Sequence, residues 1–203
     1  MAIKRGQRGR PKGGALAGQP GRGNGVSQST LGLGPSKASC SHRGQSVKVG
    51  PYSVLAGGTR YLQPADFEGV DVVVPLTNDL GCLAFGGRYE VMPALLRDFG
   101  GVPADWGLFL ELRIIPELEA GRKLLAYCVG SHGRTGTFLA SLIALLESAE
   151  ETPDPIAAVR ERHCSHAVET LAQAEAIFAL RGQALPAQYR REFYIPPALP
   201  LSG

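Results

Sequence analysis

The stretch LLAYCVGSHGRTGTFLASL, Leu124 to Leu142, decides the reading of this chain. Its first part, Lys123 to Cys128, is short and apolar and predicts a central strand. Gly130 and Gly133 mark a turn, and a helix is expected from about Arg134, apolar enough early on to be buried. Glycines in such a turn let backbone N–H groups converge without a Cβ clash. A ring of N–H groups at a helix N-terminus binds a dianionic phosphate. Arg134 lies six residues after Cys128, and its planar fork suits two phosphate oxygens at once. The same field favours a thiolate: helix N-termini and Arg bring thiols from a pKa of about 8.5 to roughly 3.5–7.5. The pattern makes Cys128 a candidate nucleophile and Val129, Gly130, Ser131, His132, Gly133 and Arg134 a candidate phosphate cradle. Thr135 offers a hydroxyl to a departing thiolate. The bland alternative is a buried thiol before an ordinary strand–helix turn. A nucleotide-binding GxxxxGK[ST] loop is absent, because Arg rather than Lys follows Gly133.

Working outward, VDVVVPL (Val70 to Leu76) reads as a second buried strand, and SVKVGPYSVLAGG (Ser46 to Gly58) as β-prone pieces broken by Gly50-Pro51. RYEVMPALL is ambiguous between strand and helix. Between Ala104 and Ala120, Leu108, Leu112 and Ile115 share one helical face, with Pro116 expected to kink it and Gly121 to end it. Asp154-Pro155 reads as cap and first residue of another helix, and Ser165 as the cap of a last one carrying Ala167, Leu171, Ala174 and Phe178. FYIPPALPLSG is too rich in proline for a helix. Strands alternating with helices give an α/β class with a mostly parallel sheet flanked by helices.

The 203 residues suffice for one sizeable core, and 44% hydrophobic with 19% charged residues is ordinary for a globular domain. The charge is uneven. Residues 1–50 hold nine Lys/Arg and no Asp or Glu, so the formal +3 joins a +9 arm to a −6 body. The expected organisation is a disordered basic tail over 1–44, a catalytic domain over 45–185 and a Pro-rich extension over 186–203. Four cysteines without paired spacing argue against a disulfide framework and for a reducing setting, cytoplasmic or nuclear. No apolar run is long enough for a membrane helix. Cys40/His42 and His163/Cys164/His166 lack zinc-finger spacing, so no metal or other cofactor is expected.

CVGSHGRTG resembles the phosphate loop HCxxGxxR[ST]G of the protein tyrosine and dual-specificity phosphatase superfamily. RDFGGVP (Arg97 to Pro103) is similar to that family's mobile acid loop, and VRERHCSHAVETLAQAEAIF (Val159 to Phe178) to its following helix pair. The resemblance covers about residues 46–182. It implies that Cys128 attacks phosphorus, Arg134 binds the equatorial oxygens and Asp98 acts as acid and then base, without metal. Tyr127 stands where the family carries His, and Arg97 where the acid loop carries Trp. Asp79 and Asp105 are rival acids. Glu169 and Gln173 match the family's water-orienting Gln positions, with a solvent-facing helix position as the plainer reading. Phosphoinositide-directed relatives carry Lys in the loop. Val129, Ser131 and His132 occupy those positions here.

Arg8-Gly9-Arg10-Pro11 resembles an AT-hook, whose Arg-Gly-Arg core enters the narrow minor groove of A·T-rich DNA. A solubilising tail explains it equally well. The leading expectation is a phosphatase acting on phosphotyrosine or, more broadly, phosphorylated protein or peptide through a cysteinyl-phosphate. The alternatives are an RNA 5′-phosphatase of the same chemistry and a non-catalytic phosphate-binding or DNA-tethered adaptor.

Overall fold

The structure, a computed structural model, describes residues 40–85 and 87–193. The expectations for Arg8 to Pro11, and for most of the basic arm, lie outside the described residues. So does the end of the Pro-rich segment.

Five strands form one sheet in the order β1-β2-β5-β3-β4. They are β1 (Gln45–Val49), β2 (Tyr52–Gly58), β3 (Val72–Pro75), β4 (Glu90–Val91) and β5 (Leu124–Cys128). β1 and β2 form an antiparallel hairpin across Gly50-Pro51, while β2, β5, β3 and β4 run parallel. The mostly parallel sheet expected from sequence is thus present, with one antiparallel edge. β5 is buried along its whole length at the centre, as its uninterrupted apolar run requires. Its side chains alternate between two cores. Leu124, Ala126 and Cys128 face the larger core with the helices, and Leu125 and Tyr127 face a smaller one with Leu62, Phe67 and Cys82.

After β5 the chain enters α3 (Gly133–Leu146), buried from Gly133 to Ala144. Gly136 permits this burial. A Cβ there would lie 2.8 Å from both the Ala167 Cβ and the Val168 backbone nitrogen, so helix and turn touch backbone to backbone. The far end of α3 is fastened by Arg181, which donates to the carbonyls of Ala144 (2.9 Å) and Glu147 (2.8 Å). α4 (Pro155–Arg162) starts as expected, with Asp154 accepting from the N–H of Ile156 and Ala157.

Two local expectations need correction. α1 (Trp106–Phe109) and α2 (Ile115–Glu119) are joined through a π-helical turn at Leu110–Ile114. The buried face is Trp106, Leu110, Ile114 and Leu118, whereas Leu108 and Leu112 are exposed. Both faces share helical spacing. Packing settles the choice: the Trp106 indole donates to Ser141 Oγ of α3 at 3.0 Å. α5 (Leu171–Ala179) is capped by Thr170 rather than Ser165, through a bond from the Gln173 N–H. Packed residues are also found on either side of 45–185. His42 is buried, and α6 (Ala187–Glu192) places Tyr189 in the main core with its hydroxyl on Asp154. No helix among the described residues is long and apolar enough to cross a membrane.

Candidate active site

Cys128 ends β5 on the helix-facing side of the sheet, and the chain turns through Val129 to His132 directly into α3. The Ser131 N–H donates to Cys128 Sγ at 3.2 Å, so the loop folds back over the sulfur. Ser131 achieves this with φ of +61°, a left-handed conformation disfavoured for a residue with a Cβ. A buried histidine holds it there. His163 Nε2 lies 2.7 Å from the Ser131 carbonyl oxygen and 3.3 Å from its hydroxyl. Gln45 Nε2 donates to His163 Nδ1 at 2.9 Å and to the His163 carbonyl at 3.0 Å. The proton therefore sits on Nε2 and is donated to Ser131. Burial, with His42 and His132 nearby, lowers the His163 pKa to about 4 against the opposing pull of the Ser131 carbonyl, so the ring is neutral at pH 7.

Beside the sulfur lies a cavity of about 150 Å³ lined by Cys128, Val129, Gly130, His132, Gly133, Arg134, Asp98, Phe99, Arg60 and Glu169. Arg134 is nearly buried, and its Nη2 forms an ion pair with Asp98 Oδ1 at 3.0 Å. Asp98 itself is 60% exposed on a loop whose next residue, Phe99, also has a left-handed backbone. Arg134 Nε is buried without a hydrogen-bond partner among the described residues. A sulfur, a guanidinium and a carboxylate thus share one small concavity at a helix N-terminus.

Of the expected site residues, Cys128, Val129, Gly130, His132, Gly133, Arg134 and Asp98 line the cavity, whereas Ser131 is buried and does not line it. The buried Thr135 hydroxyl has no hydrogen-bond partner among the described residues, Cys128 included. The rival acids are elsewhere. Asp79 accepts from the Thr59 hydroxyl at 2.8 Å, and Asp105 precedes α1. Tyr127 points to the opposite core, where burial first, and Cys82 next, raise its phenol well above the ordinary value.

Solved structures resemble this chain closely enough in shape to define the fold. Tk-PTP in its active form superposes with a TM-score of 0.55 at 22% identity, covering 68% of this chain and 97% of its own. Kinase associated phosphatase, with its catalytic-site cysteine changed to serine, gives a TM-score of 0.55 at 16% identity, covering 68% and 92%. The chain has the protein tyrosine/dual-specificity phosphatase fold. By sequence it is similar to two proteins of Methanocaldococcus jannaschii: "Uncharacterized protein MJECL20", 47% identical over 77 residues, and "Uncharacterized protein MJ0215", 43% identical over 90. These matches take in 37% and 43% of this chain, which spans about half the length of each relative. No protein-family model matches the chain.

Residues beyond the loop and Asp98 also come to the site. Glu169 does not face solvent on a helix. It lies ahead of α5 and lines the cavity, and a Cβ on Gly133 would fall 2.2 Å from its Oε2. Gln173 is buried, and its Oε1 accepts the Glu169 N–H at 2.8 Å. Arg60 and Phe99 had no sequence signal. His163, His42 and Gln45 were invisible as a group, because 118 residues separate Gln45 from His163. Cys40, His132, Cys164 and His166 also gather, with one donor atom from each lying within 4.8 Å of the others.

Proposed function

We propose that this chain is a cysteine-dependent phosphatase hydrolysing phosphate monoesters of phosphorylated protein or peptide. One observation carries the reading: Cys128 Sγ, the Arg134 guanidinium and the Asp98 carboxyl border the same cavity at the N-terminus of α3. In the first step the Cys128 thiolate attacks phosphorus, an S–P bond forms and the P–O bond to the leaving group breaks. Asp98, protonated, gives its proton to the departing oxygen. Arg134 exchanges its Asp98 contact for the equatorial oxygens and holds their charge. In the second step the Asp98 carboxylate takes a proton from water, the water oxygen attacks phosphorus and the S–P bond breaks. Inorganic phosphate and the thiolate are released. Glu169 stands where it can orient that water.

The test is hydrolysis of an aryl phosphate and of a phosphotyrosyl peptide by the full chain. Turnover is expected in wild type, blocked by vanadate, with a phosphorylated cysteine trapped on rapid acid quench. Cys128→Ser is expected to abolish it while retaining phosphate binding. Wild-type binding without turnover would leave the non-catalytic adaptor as the better account.

A further inference from the structure

The chain contains only four histidines and four cysteines, and two of each converge beside the phosphate loop. They come from three separate segments: Cys40 ahead of β1, His132 within the loop, and Cys164 with His166 in the turn between α4 and α5. Cys40 Sγ lies 3.8 Å from Cys164 Sγ and 3.4 Å from His166 Nδ1, and Cys164 Sγ lies 3.8 Å from His166 Nδ1. One His132 ring nitrogen completes a group whose donor atoms are all within 4.8 Å of one another.

We infer that Cys40, His132, Cys164 and His166 form a structural zinc site that fastens the phosphate loop to the segments beneath it. Tetrahedral zinc with Zn–S of about 2.3 Å and Zn–N of about 2.0–2.1 Å has an S···S edge of about 3.8 Å and S···N edges of about 3.6 Å. The three distances above match those edges to within about 0.2 Å. A disulfide requires sulfurs about 2.05 Å apart, so the pair is not bonded. Two thiols and two imidazoles select zinc over the oxygen-seeking magnesium and calcium. On binding, the two cysteines release their protons to solvent and the imidazoles bind neutral, so Zn²⁺ with two thiolates is uncharged overall. Four protein donors leave no open position, which makes the site structural rather than a Lewis acid.

The surroundings support the donors. The His166 N–H points to Cys164 Sγ at 3.4 Å. The remaining two histidines complete the layer, the His42 ring standing edge-on to His132 with centroids 5.1 Å apart and lying 4.8 Å from His163. The loop thus has two anchors on one turn. His163 holds Ser131 by a hydrogen bond, and the metal holds the next residue, His132, which immediately precedes α3.

The experiment reads metal rather than turnover, so it stands or falls separately from the phosphatase reading. The full chain, purified with reductant and dialysed, is analysed for zinc by mass spectrometry. About one zinc per chain is expected, falling at least about tenfold in Cys40→Ser/Cys164→Ser and unchanged in Cys82→Ser, whose thiol lies in the other core. Because the double variant risks misfolding, wild type is also titrated with Co²⁺. Intense visible bands of tetrahedral cobalt and a near-ultraviolet thiolate charge-transfer band are expected, the latter roughly halved in Cys40→Ser. A weak octahedral cobalt spectrum, or zinc content equal in wild type and double variant, overturns the site. A Cys40–Cys164 disulfide in protein alkylated at lysis overturns it too.

Discussion

Asp98→Asn preserves the shape of the residue beside Arg134 and removes both its proton and its charge, and these two losses have separable sizes. In the proposed role of general acid, Asp98 would account for roughly 10²–10⁴ in rate, about 3–5 kcal/mol of the barrier. As the ion-pair partner of Arg134 at 3.0 Å it accounts for far less, because its carboxylate is 60% exposed and water screens the pair. Exposed pairs contribute at most about 1 kcal/mol, or roughly fivefold in an equilibrium constant. Removing the carboxylate is therefore expected to tighten vanadate or phosphate binding by no more than about fivefold, since Arg134 no longer has a competing anion. Turnover of a phosphotyrosyl peptide falls at least about 100-fold. The loss should shrink for an aryl ester whose leaving group departs as a stable anion and grow for an alkyl ester. The assay is steady-state kinetics across leaving groups, paired with vanadate inhibition. A loss below about tenfold on the peptide, or one equal across all leaving groups, refutes Asp98 as the acid.

Arg134→Lys keeps the charge but loses the two-pronged contact, so kcat/KM is expected to fall about 10²–10³ with the melting temperature little changed; a full loss of folding contradicts this. Gly136→Ala forces α3 away from Ala167 and Val168 and should destabilise by about 1–3 kcal/mol in urea titration, whereas an unchanged midpoint shows that the backbones separate freely. Glu147 is opposed by its own burial. Bonds from Arg162, the Thr152 hydroxyl and the Gly50 N–H outweigh it, bringing the carboxyl from 4.5 to about 2. A depressed folded-state value stabilises above the unfolded value and is lost on acidification. Glu147→Gln is thus expected to cost up to about 3 kcal/mol at pH 7, the gap to wild type closing as pH falls from about 4.5 to 2; a pH-independent gap contradicts it. Phosphotyrosyl peptide is expected to turn over in preference to triphosphate-ended RNA, and the reverse order moves the chain to the RNA 5′-phosphatase reading.

The strand, loop and helix from Leu124 to Leu146 were legible because each rests on a local signal: a short apolar run, glycines, then a long apolar helix. Cys128 and Arg134 were readable through fixed spacing within one loop. The α1–α2 region was misread for a physical reason. Leu108 and Leu112 offer the same period as Trp106, Leu110, Ile114 and Leu118, and only the docking of Trp106 on α3 chooses between the faces. Glu169 was noticed but placed on a helix, whereas Thr170 starts α5 one residue later and turns Glu169 toward the loop. The Cys40, Cys164 and His166 contacts span 124 and 126 residues, and no periodicity reports contacts of that range.

One substitution in the loop ties these observations together. In the phosphatases it resembles, a histidine precedes the nucleophile, and here that position is Tyr127. Alternation along β5 sends Tyr127 into the core opposite Cys128, so its hydroxyl cannot serve the cavity. Yet the loop still holds Ser131 in a left-handed backbone conformation, which costs on the order of 1–3 kcal/mol and persists only where neighbours over-determine it. His163 is the neighbour that does so. It is kept neutral by burial, its tautomer is set by Gln45, and its Nε2–H donates to the Ser131 carbonyl. Support for the loop after Cys128 therefore comes from the turn after α4. That turn touches α3 at Gly136, carries Glu169 to the cavity rim and supplies Cys164 and His166 beside His132.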